Sequence, residues 1–283
     1  MYKLSASLIL FFLSAMAHSA TVRGVYDYNQ TFTTQTNMAY EEMFVNWNSW
    51  TPGTITSQLN TIRSRNRWPI ITIQPYHISS IGTAATLLSD VVAGKYNSVI
   101  AAMCSEIRAY DGPLVIRWGH EMEINIGRYD WSTTNYTLYI AAYQEAITWY
   151  KYYLSGIPNV YYLWSPAGNS NCNNYYPGNS YCDFCGCSMY SWAQYDAMEG
   201  LPNAFTGLFG PKYSLLAIHG KAIFIAECGI EIANPQAAWI TAAVASFPSY
   251  PLLTAVIYFN APDSVAWWSG GPIPNWSIST SIW

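Results

Sequence analysis

The stretch Pro113–Glu121, PLVIRWGHE, decides the fold. Leu114 to Ile116 read as a buried strand, and directly after them come Arg117, His120 and Glu121, with Glu123 just beyond. An apolar run that ends in a group of ionisable side chains describes a strand whose far end opens into a cleft. The pattern recurs along the chain. TVRGVYDY (21–28), MFVNWN (43–48), WPIITIQPYH (68–77), NVYYLWSP (159–166), YCDFCGCSMY (181–190), KAIFIAECG (221–229) and LLTAVIYFN (252–260) read as further short strands. Helical segments are predicted between them, over 54–66, 95–110, 134–154, 205–219 and 235–246. In the second of these, apolar residues fall at 99, 100, 103, 107 and 110, the spacing of one helix face.

Eight strands alternating with helices over about 260 residues match the size of a (β/α)8 barrel. A doubly wound open sheet would show the same alternation, but no glycine-rich phosphate loop follows any of these strands. The expected fold is therefore α/β, a single-domain TIM barrel over 20–283.

Composition narrows the function. Charged residues make up 10% of the 283 and hydrophobic ones 51%, the balance of a packed globular chain. The net charge of −4 and the lack of a basic cluster leave nucleic acid without an electrostatic footprint. Aromatics reach 17%, with 13 Trp and 24 Tyr. Most must be core, and a minority at strand ends could serve as flat platforms for sugar rings. The tail residues Trp267 and Trp268 suit either role.

Residues 1–19 resemble a secretory signal peptide: Lys3 precedes an apolar run over Leu4–Leu13, and small residues at 15, 17 and 19 offer cleavage sites. The run is short for a spanning helix and no second one follows, so a secreted, extracellular protein with no membrane partner after cleavage is expected. A monomer is expected as well. Four of the six cysteines crowd together at 172, 182, 185 and 187. In an exported chain this reads as a disulfide-stapled loop with Cys172–Cys182 as the preferred pair. The alternative, a zinc site, lacks a second paired knuckle. Cys104 and Cys228 read as small buried hydrophobes.

In a barrel of this type the active site lies at the C-terminal ends of the strands. The polar residues gather there: His77 after the third strand, Arg117, His120, Glu121 and Glu123 after the fourth, Asp183 and Tyr190 around the sixth, Glu227 on the seventh and Asn260 ending the eighth. Taken singly, each has an ordinary structural explanation as an ion-pair partner, a packing histidine or a loop residue. Their coincidence at matching ends of different strands is the signal. Two glutamates facing one another across a barrel mouth suit glycoside hydrolysis, which needs one protonated carboxyl for the leaving oxygen and one ionised carboxylate for the anomeric carbon or for water.

Four segments also resemble glycoside hydrolase family 26. VIRWGHEM is similar to the family's acid/base motif, roughly R-W-x-H-E-M-N, and FIAECG to its nucleophile strand. YYPGNSYCDFCGCSMY resembles its Y-P-G-D-x-Y-V-D segment, and GKYNSVIAAMCSEI the helix before the acid strand. The resemblance implies Glu121 as acid/base and Glu227 as nucleophile of a retaining double displacement. It further implies Arg117 and His120 orienting acid and sugar, Tyr190 donating to the nucleophile, Asp183 supporting the −1 subsite, and His77 contacting the −1 sugar. No metal or organic cofactor is required.

The departures fall in loops that would meet substrate. Position 123 is Glu where the family has Asn, position 179 is Asn where it has Asp, and the eighth strand ends in YFN rather than Trp-Arg. Glu123 would share a side with Glu121 in an extended chain, and would either bind a sugar hydroxyl or raise the pKa of Glu121 by like charge. The substrate expected is a neutral β-linked polysaccharide: β-mannan, mixed-linkage β-1,3-1,4-glucan or β-1,3-xylan. The rival expectation is a non-catalytic carbohydrate-binding or cell-wall protein on the same scaffold, which would keep the aromatics but need not keep both glutamates.

Overall fold

The computed structural model describes residues 20–124 and 127–283. The signal peptide expected over 1–19 lies outside the described residues. Eight parallel strands close into a barrel in sequence order: β1 (Val22–Asp27), β2 (Tyr40–Asn46), β3 (Trp68–Gln74), β4 (Leu114–Trp118), β5 (Val160–Trp164), β6 (Phe184–Ser191), β7 (Ile223–Ile230) and β8 (Leu253–Asn260). Closure is made by β1 against β8, paired over six residues from Val22↔Ala255 to Asp27↔Asn260. The closed ring excludes the open-sheet alternative.

The seven helices described are α1 (Thr54–Ser64), α2 (Leu87–Val92), α3 (Asn97–Tyr110), α4 (Tyr136–Tyr153), α5 (Ala193–Glu199), α6 (Phe205–Ala217) and α7 (Gln236–Ser246). Five match the expected segments. The short α2 and α5 were not expected, because six or seven residues hold too few turns to show a period. Helix α4 buries Tyr139, Ala142, Tyr143, Ala146, Ile147 and Tyr150, a continuous stripe at three- and four-residue spacing. The Asn135 side chain starts this helix by accepting from Leu138 N at 3.1 Å, a cap contributing about 1 kcal/mol. No helix among the described residues is long and apolar enough to cross a membrane.

Two apolar clusters divide the interior. The larger lies between the strands and the helices. The smaller fills the barrel itself with Tyr40, Ile70, Val115, Leu163, Phe224, Ala226, Ala255 and Ile257. This second cluster plugs the N-terminal half of the barrel, so only the C-terminal mouth can hold a polar site. Gly24 of β1 marks its tightest point: a Cβ there would lie 2.5 Å from Ile257 Cδ1 and 2.8 Å from Tyr40 Cβ.

All six cysteines are buried free thiols, so the expected Cys172–Cys182 staple is not formed. Cys182 Sγ is instead 3.7 Å from the Tyr176 hydroxyl and 3.8 Å from Gly178 O. Cys172 Sγ faces Asn173 Oδ1 at 3.9 Å. Burial, with the charge of Glu123 adding to it, raises the Cys172 pKa to about 12 and makes it an inert filler.

Gly24→Ala should lower the free energy of unfolding by about 1–3 kcal/mol, the usual scale of overpacking. A shift of the urea midpoint at constant slope measures it, and an unchanged midpoint would show that the barrel wall yields.

Candidate active site

Glu227 is aimed into the barrel by an irregularity in β7. Phe224 faces the interior, so regular alternation would point residue 227 outward. The register with both neighbours shifts here. Cys187 of β6 pairs with Ile225 and the next residue, Ser188, pairs with Glu227. On the other side Val256 pairs with Ile225 while Tyr258 pairs with Cys228. One extra residue in β7 turns the glutamate inward, level with Ser188, as bulges beside active sites commonly do.

Arg117 meets it there. The guanidinium is fully buried, and its Nη1 donates to Glu227 Oε1 at 2.5 Å and to Glu42 Oε1 at 3.2 Å. The Tyr190 hydroxyl donates to Glu227 Oε2 at 2.6 Å. Both oxygens of Glu227 therefore receive strong donors, the environment of a carboxylate held in one orientation. Burial alone would lower the Arg117 pKa, but Glu227, Glu42 and Glu121 outweigh it and keep the guanidinium charged. Burial, then the charges of Glu227 and Glu121, hold the Tyr190 phenol protonated.

Glu121 follows a left-handed turn. Gly119 has φ +56° and Glu121 itself φ +53°, a conformation that L-residues other than Gly rarely adopt. The turn is pinned by Glu121 N donating to Ser165 O at 2.9 Å. Local backbone strain of this kind is typical of functional positions. The residue is 7% exposed, and its carboxyl Oε2 accepts from the Tyr129 hydroxyl at 3.2 Å. Burial, with the charge of Glu227 adding to it, raises the Glu121 pKa to about 7, against a hydrogen bond from Ser188 and the charges of Arg117 and Arg128. The two glutamates are thus pushed apart in role: one carries a proton near neutrality, the other is gripped by donors.

His120 is buried beside Glu227, with Nε2 3.8 Å from Glu227 Oε1. Burial, then Arg117 and Arg128, push its pKa well below the ordinary value, so the ring is neutral. Its carbonyl accepts from Trp131 Nε1 at 2.6 Å. Trp131 stacks on Tyr129 at 4.5 Å with an interplanar angle of 3°. His77 stands at the rim. Asp130 Oδ2 accepts from His77 N at 2.8 Å and from His77 Nδ1 at 2.7 Å, which leaves Nε2 as the ring nitrogen for a ligand. Trp267 and Trp268 are half-buried on the β6–β8 side; Trp267 meets Tyr190 edge-on at 5.9 Å, and Trp268 packs on Trp192 at 4.7 Å.

Arg117, His120, Glu121, Tyr190, Glu227 and His77 gather at one end of the barrel. Three expected residues have other roles. Asp183 precedes β6, at the opposite end from Tyr190, and its Oδ2 accepts from Tyr162 N at 2.8 Å. Seven residues of extended chain, roughly 23 Å, separate it from the mouth. The residue two before Tyr190 on the same face is Ser188, whose hydroxyl accepts from Arg117 Nη2 at 3.4 Å. Glu123 does not share a side with Glu121, because the left-handed turn ends the extended chain. Its Oε1 accepts instead from Gly168 N at 2.8 Å and Asn169 N at 3.2 Å, fastening the loop after β5. Asn260 donates to Asp27 Oδ1 at 3.0 Å and Thr31 Oγ1 at 2.8 Å, and accepts from Ile278 N at 2.9 Å. Its amide is committed to tying the barrel seam to the tail.

Three participants were missed. Ser188 was legible from period-two alternation back from Tyr190. Glu42 lies inward between Tyr40 and Phe44 on β2, but the second strand was expected to begin after it. Tyr129 sits in a loop, where no periodicity points to it.

No curated protein matches this chain in sequence. Among solved structures, it is similar to a family 26 β-mannanase from Bacteroides ovatus, with a TM-score of 0.64 and 14% identity over 86% of this chain and 81% of that one. It is similar to the YdhT protein from Bacillus subtilis, with a TM-score of 0.61 and 15% identity over 86% and 81%. A broad-specificity GH5-4 endoglucanase from Clostridium acetobutylicum gives a TM-score of 0.64 and 12% identity over 92% and 91%. Identities this low establish a shared fold. The sequence profile of glycosyl hydrolase family 26 matches residues 13–241, well over half of the chain. The protein belongs to glycosyl hydrolase family 26 and is a glycoside hydrolase.

Proposed function

We propose that the protein is a secreted endo-acting β-glycanase that cleaves a neutral polysaccharide, foremost β-mannan, with retention of anomeric configuration. The observation that carries this reading is the pairing of a buried, proton-holding Glu121 with a Glu227 gripped by Arg117 and Tyr190. In the first step Glu227 attacks the anomeric carbon, the glycosidic C–O bond breaks, and Glu121 gives its proton to the departing oxygen. In the second, Glu121 takes a proton from water, whose oxygen attacks the same carbon and releases Glu227. Arg117 and Tyr190 orient the nucleophile. Neutral His120 packs beside it without adding a charge.

Mannan is favoured by the Bacteroides ovatus β-mannanase among the structural relatives. Mixed-linkage β-1,3-1,4-glucan is kept open by the likeness to a broad-specificity endoglucanase. β-1,3-Xylan remains a third candidate from the family resemblance. The half-buried Trp267 and Trp268 beside Tyr190 and Trp192 offer flat faces for uncharged sugars. Export rests on the signal-like residues 1–19.

Reducing-sugar release from mannan, galactomannan, mixed-linkage glucan, β-1,3-xylan and cellulose tests the reading. Release is expected on at least one polymer. Glu227→Ala should abolish it, by on the order of 10⁴-fold or more, as removal of a nucleophile does. Glu121→Ala should slow polymer cleavage about 10²–10⁴-fold but spare aryl glycosides with good leaving groups. Binding without release from any polymer would favour a carbohydrate-binding role.

The pH profile gives a second test. Glu121 must be protonated in the free enzyme, so kcat/KM should fall as pH rises through about 7. An activated aryl glycoside assayed with Glu121→Ala should lose that alkaline limb, and a limb that persists would assign it to another group. Proton NMR of the first product should show the β-anomer before mutarotation; an initial α-anomer would mean inversion.

A further inference from the structure

Arg117 is held from two sides, and only one of them is the nucleophile. Glu42 of β2 lies in the barrel with its side chain fully buried, below the mouth and away from the cleft surface. Its Oε1 accepts from Arg117 Nη1 at 3.2 Å and from the Thr72 hydroxyl. Thr72 in turn lies directly beside Arg117 in the β3–β4 register and is 3.4 Å from Nη1. The other anchors of the guanidinium are weak. Nη2 has Ser188 at 3.4 Å, and Nε is buried without a hydrogen-bond partner. Without Glu42, nothing closer than 3.4 Å would oppose the pull of Glu227 on Nη1.

We propose that Glu42 is a positioning residue for hydrolysis, fixing the Arg117 guanidinium so that it presents Nη1 to Glu227 in the orientation needed for attack. This rests on the assignment of Glu227 as nucleophile. The two donors of Glu42 converge on Oε1, while Oε2 is buried without a hydrogen-bond partner. Burial, opposed by Arg117 and reinforced by Glu227, raises the pKa to about 8, consistent with that geometry.

The arrangement separates isosteric variants. Glu42→Gln keeps an oxygen for Arg117 and Thr72, and should retain kcat within about threefold. Glu42→Leu keeps the volume and loses the acceptor; kcat should fall about 10–10²-fold with KM nearly unchanged, the cost of misplacing a group by about 1 Å. A residue that merely filled space would give both variants the same kcat. Should Glu42→Leu not fold, Glu42→Asp replaces it, since its carboxyl is drawn back by one methylene from Arg117. Crystal structures of the variants read the same point without activity. The Arg117 Nη1 to Glu227 Oε1 contact of 2.5 Å should persist in Glu42→Gln and be displaced in Glu42→Leu. A folded Glu42→Leu enzyme with wild-type kcat, a Glu42→Gln enzyme as slow as Glu42→Leu, or an undisplaced Arg117 overturns the proposal. Wild-type protein that cleaves no polymer would overturn the proposed function instead, and the crystallographic comparison would still decide the role of Glu42.

Discussion

The site depends on one buried positive charge. Arg117 sits at the floor of the barrel mouth with Glu227 and Glu42 in contact and Glu121 close enough to feel its field. Removing such a charge from water is costly, and only close partners offset it; losing one partner of a buried pair typically costs about 3–5 kcal/mol. The carboxylates need the arginine as much as it needs them. Three acids crowd this cation, with Arg128 acting on Glu121 as well. Glu227 has the shortest contact and the Tyr190 donor, while burial raises the pKa of Glu42 and of Glu121. The division of labour that glycoside hydrolysis requires thus follows from electrostatics in a dry pocket.

The scaffold serves that pocket by departing from regularity in two places. The extra residue in β7 turns Glu227 inward, and the left-handed turn after β4 lifts Glu121 out of strand geometry. Both departures are braced. β7 is paired on both sides by β6 and β8, and the Glu121 turn is tied to Ser165, to the Tyr129 hydroxyl and, through the His120 carbonyl, to Trp131. Beneath them the apolar plug of the barrel excludes water from the floor.

Much of this was legible in the sequence because strand burial and strand ends leave strong marks. Eight apolar runs located eight strands, and the motifs around Arg117–Glu121 and Glu227 identified the two carboxyls and the arginine that meet at the mouth. The failures have separate physical origins. Glu123 was placed beside Glu121 by alternation that the left-handed turn interrupts, and Asp183 was assigned to the mouth although it lies a full strand length from Tyr190. Glu42 escaped notice because the second strand starts three residues earlier than its apolar run suggests. Asn260 and the cysteines show the converse: a polar or reactive residue type in the right neighbourhood can be wholly committed to packing and tying the chain together.

The central claim is that Glu227 becomes covalently bonded to the sugar. An activated 2-deoxy-2-fluoro-β-glycoside of the preferred sugar, which forms the intermediate faster than water resolves it, would test this by mass spectrometry of the digested protein. The account predicts one sugar per chain, on the peptide containing Glu227, with slow recovery of activity as the adduct turns over. A label on Glu121, or turnover of the true substrate with no covalent adduct, would contradict it.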